Sequence, residues 1–143
     1  MMDVPVMLKK LDANAKPEWG SMTASEMLDH LRKAVDISVQ KISTEVVTPV
    51  EMLPKYKSFL LSDKPFRPGS PKPEMFNKVP DFNGDIEALK VNLMKSLVSM
   101  LVHFEKNPDH TANHDNFGEL NTNEWMHLHL KHFQHHFKQF GLT

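Results

Sequence analysis

WMHLHLKHFQHHFKQFG, residues 125–141, carries five of the chain's nine histidines: His127, His129, His132, His135 and His136. Met126, Leu130, Phe133, Phe137 and Phe140 recur at helical spacing and predict one apolar wall. Beside that wall runs a second strip of Trp125, Leu128, His129, His132, His136 and Gln139, with Lys131, Gln134 and Lys138 opposite, on the expected solvent face. His132 and His136 are four residues apart, and a helix stacks such a pair with Cβ atoms about 5–6 Å apart. Two imidazoles so placed can share one metal ion. On spacing alone, a metal site and a seam of histidines bonded to carboxylates and waters are both open.

The neighbouring segments supply the frame. Asn121 and Glu124 form a capping signal that starts this helix, and Gly141 stops it. Residues 107–121 read as a loop, with His110 and His114 in solvent. Further back, Ile86, Leu89, Leu93, Leu97, Met100 and Phe104 trace an apolar stripe that predicts a helix over 84–106, with His103 at its margin. Seven of the ten prolines fall within residues 49–80. They leave room for a short helix over 50–61 and then force a long connection, because proline removes a donor and breaks helix interiors. Phe66, Met75, Phe76 and Phe82 predict that residues 63–82 dock on the body of the protein and roof a cavity. Thr23 and Glu26 open a helix expected over 24–41, and a short helix is expected over 4–12.

These segments predict an all-α, up-down four-helix bundle, with a short N-terminal helix and a long proline-rich connection, as a single domain over residues 1–143. The formal charge of -1 gives no footprint for nucleic acid or an anionic membrane. The start of the chain lacks a signal-peptide pattern, no run is long enough to span a bilayer, and there is no cysteine, so the expected compartment is the cytoplasm. Any metal must be held by histidine, carboxylate or water.

His30 lies at the edge of the buried arc of the helix over 24–41, whose apolar stripe is Met27, Leu28, Leu31, Ala34 and Val35; Arg32 and Asp36 fall on its charged face. An inward histidine here and two on the last helix make a three-imidazole site with a position left for water or substrate. Glu26 and Asp29 are the candidate acceptors for the remaining ring nitrogens. His129 and His135, each three residues from His132, are the alternative ligands. No Ser-His-Asp signature and no glycine-rich phosphate loop is present.

Three pieces together, WGSMTASEMLDHL at 19–31, HDNFGELNTNEW at 114–125 and LKHFQHHFKQFGL at 130–142, resemble the DinB-like superfamily of metal-binding four-helix bundles. More closely they resemble a branch of it known only as a domain of unknown function. The resemblance implies a bundle of DinB-like type in which His30, His132 and His136 hold one divalent transition metal, zinc or nickel foremost. It implies a thiol-dependent transferase or hydrolase acting on a small molecule, with a low-molecular-weight thiol as one expected partner. The alternative is a non-catalytic bundle that binds a metal or small molecule. Monomer and homodimer are both open. The chain departs from the branch's usual His-Pro by placing Asp115 after His114.

Overall fold

The computed structural model describes residues 3–143. Five α-helices appear among them: α1 (Val4–Lys10), α2 (Ala24–Ser38), α3 (Leu53–Leu61), α4 (Ile86–Lys106) and α5 (Thr122–Gln139). Single 3₁₀ turns cover Val50–Met52 and Glu74–Lys78. The all-α four-helix bundle expected from the sequence does not hold. The stretch read as a loop contains two antiparallel strands, β1 (Thr111–His114) and β2 (Gly118–Asn121), in register from Thr111 opposite Asn121 to His114 opposite Gly118. The cause is a period of two: Ala112, His114, Gly118 and Leu120 face inward, while Thr111, Glu119 and Asn121 are exposed. Gly118 sits at φ +86°, and a Cβ there would lie 3.3 Å from a Leu53 methyl, so the hairpin closes against α3 only through glycine.

α2 is the central element and packs against α4, α5 and β1. Its capping box forms as expected, with the Thr23 hydroxyl accepting from the Glu26 amide at 3.1 Å and the Glu26 carboxylate accepting from the Thr23 amide at 2.9 Å. The helix ends three residues before the expected Lys41, because Gln40 turns left-handed at φ 61°. Met27, Leu28, Leu31, Ala34, Val35 and Ile37 are all but sealed from solvent. The charged face is buried too. Arg32 donates to Asp29 at 2.6 Å, to Asp36 at 3.1 Å and to the carbonyl of Pro80 at 3.0 Å, and the Phe82 amide donates to Asp29 at 3.3 Å. A guanidinium with five donors satisfies two carboxylates and still pins the far end of the proline-rich connection.

That connection docks as an ordered strap. Met75, Phe76 and Val79 are buried, Phe66 is half-buried, and Phe82 stays exposed, contrary to the expectation for that residue. The Met75 amide donates to Asp115 at 3.2 Å, and Lys131 donates to the carbonyls of Ser62 and Lys64. Lys131 is therefore buried rather than solvent-facing, its ammonium lying 4.8 Å from the centre of the Phe59 ring. α5 is rotated relative to the expected wall. Met126 and Leu130 are exposed, and the strip with Trp125, His129, His132 and His136 faces inward. On α4, Leu89, Leu93, Met100 and Phe104 form the buried stripe. No helix among the described residues is long and apolar enough to cross a membrane.

Candidate functional site

His30, His132 and His136 come together between α2 and α5. Nε2 of His132 lies 2.8 Å from Nε2 of His30 and 3.1 Å from Nε2 of His136. One nitrogen from each ring falls within 4.8 Å of the other two. The rings are buried, at 9 %, 8 % and 7 % exposure, so the cluster cannot be a fortuitous meeting of surface side chains.

Gln139, one helical step beyond His136, fixes a tautomer. Its amide nitrogen donates to the carbonyl of Trp19 at 3.0 Å, which turns its Oε1 toward His136 Nδ1 at 2.7 Å. A carbonyl oxygen only accepts, so Nδ1 of His136 carries the proton and its Nε2 lone pair points into the cluster. Gly20 makes the reach possible: a Cβ there would lie 3.3 Å from the Gln139 amide nitrogen. The acceptors expected for the other rings are engaged elsewhere. Glu26 closes the capping box, Asp29 holds Arg32, and the Nδ1 atoms of His30 and His132 are buried without a partner.

The three rings are neutral at ordinary pH. Burial, with His136 nearby, lowers His30 to about 2. Burial holds His132 well below its ordinary value, with His30 and His136 adding to the effect. His136 is lowered to about 4 by burial, opposed by its bond to Gln139. Desolvation favours the uncharged imidazole, which is the form that ligates a metal.

A cavity of about 640 Å³ opens onto the cluster. Phe76 stacks on His30 at 4.3 Å, and Phe66, Phe117 and Tyr56 continue the wall, with ring centres 6.3–6.4 Å apart along the series. Its outer edge is the strap. A shallower groove of about 800 Å³ between α1 and α4 is lined by no histidine among the described residues.

His114, expected in solvent, is misplaced by the sequence reading. It is buried at the end of β1 and lines the cavity. Its Nδ1 accepts from the amides of Asn116 at 3.0 Å and Phe117 at 3.3 Å, so its proton sits on Nε2. Burial, with His129 as a minor cause, lowers it to about 3; its 3.5 Å approach to Asp115 is therefore not an ion pair. The signal for it was the inward pairing of Ala112 with His114 across from Gly118 and Leu120. His129 is buried beside Trp125 with neither ring nitrogen partnered, and it does not join the cluster of three. His135 is half-buried at the cavity wall, 4.9 Å from the His136 ring. His127 is exposed.

The chain belongs to the family described as "Protein of unknown function (DUF1569)", which matches residues 3–143. No curated protein and no solved structure matches it.

Proposed function

Within that family, we propose that the protein is a metal-dependent enzyme of the thiol-transferase or hydrolase type. His30, His132 and His136 bind one divalent transition metal, zinc or nickel foremost, at the inner end of a cavity that admits a small-molecule substrate. The observation that carries this reading is the convergence of three buried Nε2 atoms on the floor of the cavity, with the His136 lone pair aimed inward by Gln139. The donor set fits such an ion. Three neutral imidazoles at about 2.0–2.1 Å in a tetrahedral arrangement place their nitrogens about 3.3 Å apart; the two pairs through His132, at 2.8 and 3.1 Å, need to spread by a few tenths of an ångström, and all three nitrogens lie within 4.8 Å of one another. Three protein ligands leave a fourth position for water or substrate.

When bound, such an ion acts as a Lewis acid, polarising a substrate group and easing proton loss from water or a thiol. The chain supplies the rest. The aromatic wall excludes water, and His114 offers an N–H at Nε2. Among the described residues no aspartate or glutamate lines the cavity, so proton handling falls to His114, His135 and Tyr56. The same missing carboxylate favours a second reading, a non-catalytic metal- or small-molecule-binding protein. Kinship with the DinB-like superfamily belongs to the first reading and is supported by one histidine on an early helix with a His-x-x-x-His pair on the last.

The test is a cobalt-substituted protein at about pH 7.5, where unperturbed histidines are mostly neutral. The visible spectrum should change on adding a small thiol or imidazole. Failure to take up cobalt sinks the metal assignment, and a spectrum indifferent to both additions sinks the open, reactive site.

A further inference from the structure

The cavity combines three kinds of surface in sequence. At its floor are the three imidazoles. Along its length are aromatic rings. At its mouth the strap presents Lys64, Arg67 and Lys72. In a chain with 18 acidic and 17 basic residues, a lining with three cations and no carboxylate is a local bias. Among the described residues none of the three has an ion-pair partner, whereas Arg32, Lys33, Lys41, Lys57 and Lys90 all do.

The strap that carries the cations is held in place. Lys131 fixes the carbonyl of Lys64 at one end, and Asp115 fixes the amide of Met75 at the other. Pro65, Pro68, Pro71 and Pro73 restrict the backbone between. Cations carried on this anchored strap, over a low-dielectric, aromatic cavity, focus a positive potential into its mouth. A volume of about 640 Å³ suits a small organic ligand and far exceeds the needs of an ion alone.

We infer that the cavity takes an anionic small molecule with an apolar, preferably aromatic body. Its carboxylate or phosphate meets Lys64, Arg67 and Lys72, its body lies along Phe66, Phe76 and Phe117, and its far end presents a donor atom to the three histidines. Only the last of these contacts rests on the metal reading; the rim and the wall stand without it.

The experiment uses the full chain and two pairs of probes. On cobalt-loaded protein, 4-mercaptophenylacetate is compared with its neutral amide by the thiolate-to-cobalt absorption. On metal-free protein, phenylacetate and phenyl phosphate are compared with phenylacetamide by calorimetry at low salt. An anion is expected to bind about tenfold more tightly than the matching amide, equivalent to about 1.4 kcal/mol. In a Lys64→Gln/Arg67→Gln/Lys72→Gln variant that preference should shrink to within about twofold, while cobalt affinity and amide binding stay unchanged. Stronger binding of the carboxylate or of the phosphate says which anion the mouth prefers. A wild-type protein indifferent to the charge, or a preference that survives the triple variant, overturns the inference. Failure of the metal reading shows separately, as absence of cobalt uptake. In that case the metal-free pairs decide, and binding of none of the probes there overturns the inference as well.

Discussion

Two groups of histidines sit in near contact in this protein, and they are built for opposite ends. In the first, His103 Nε2 and His110 Nδ1 are 3.2 Å apart, His110 Nε2 donates to the carbonyl of Ser38 at 2.7 Å, and Asn107 approaches His103 Nδ1 at 3.4 Å. The donor on each atom is set by its neighbour, so the chain runs from Asn107 through two rings to a backbone carbonyl with no lone pair left over. In the second, three Nε2 atoms meet at 2.8 and 3.1 Å, only one ring is committed at its far side, and a cavity opens above. A short distance between imidazoles therefore does not identify a site. The far sides of the rings do: His30 and His132 leave Nδ1 uncommitted, and a cavity gives access to the Nε2 atoms they share.

The largest expected effect tests that contrast directly. His132→Ala/His136→Ala removes two of the three proposed ligands, and zinc affinity should fall more than about a thousandfold. His103→Ala/His110→Ala should leave zinc affinity within experimental scatter. Equal titration curves for wild type and the first double variant break the comparison, because the two groups would then be alike.

Acid stability comes next. His30, His114 and His136 are lowered to about 2, about 3 and about 4, all mainly by burial. His129 is lowered to about 3 and His132 also lies far down. In the unfolded chain all five return to about 6.5. Their folded values are depressed, so the unfolded state binds more protons below about pH 6.5, and stability is lost as pH falls toward the folded values. Each contributes at most about 1.4 kcal/mol per pH unit, and together they rival the whole stability of a typical domain within one to two units. The metal-free protein should unfold cooperatively between about pH 6 and 4, followed by far-UV circular dichroism. Zinc should move the midpoint to lower pH. A metal-free fold that persists at pH 3.5 shows that the buried rings are reached by protons without cost.

The two groups were not equally legible in the sequence. His132 and His136 were, because helix geometry fixes their relation, and α5 is long enough for its period to be read. His30 falls at the edge of the buried arc that the sequence predicts, and α2 buries it. The hairpin was not legible. Its strands are four residues each, and its inward positions include a histidine and a glycine, so no apolar alternation stands out. Missing it left His110 and His114 in solvent, when the turn buries one at the cavity and ties the other to α2. The burial of Arg32 and Asp36 on the charged face, of Asp29 as the partner of Arg32 instead of a ring nitrogen, and of Lys131 is not legible either, because a paired charge has the same letter as a solvated one. The DinB-like four-helix bundle failed for the same hairpin, although the meeting of the three histidines does not depend on it.

A smaller effect is expected at Gln139. Gln139→Leu keeps the volume and removes the acceptor that sets the His136 tautomer, so zinc affinity should drop about 10–100-fold. The melting temperature of the metal-free variant separates this from loss of the link to Trp19. An unchanged affinity shows that His136 finds its tautomer without help, and the distinction between a committed ring and free ones loses its point.

The smallest effect belongs to the closed chain. His110→Leu keeps an apolar body beside Phe104, whose ring centre lies 5.6 Å away, and removes both ring nitrogens. The carbonyl of Ser38, in a residue sealed from solvent, loses its donor, and His103 loses its acceptor. An intramolecular hydrogen bond contributes about 1 kcal/mol net, and a buried group left unpaired costs about 1–3 kcal/mol. His103 can turn to water at the margin of α4, so the expected loss is about 1–2 kcal/mol, from the end of α2 alone. Urea unfolding should show a lower midpoint with an unchanged slope, since the surface exposed on unfolding is the same. Zinc affinity and cobalt spectrum should match wild type. A variant with unaltered stability but weakened metal binding would reverse the assignment of the two groups, making the tethered pair the one that reaches the ion.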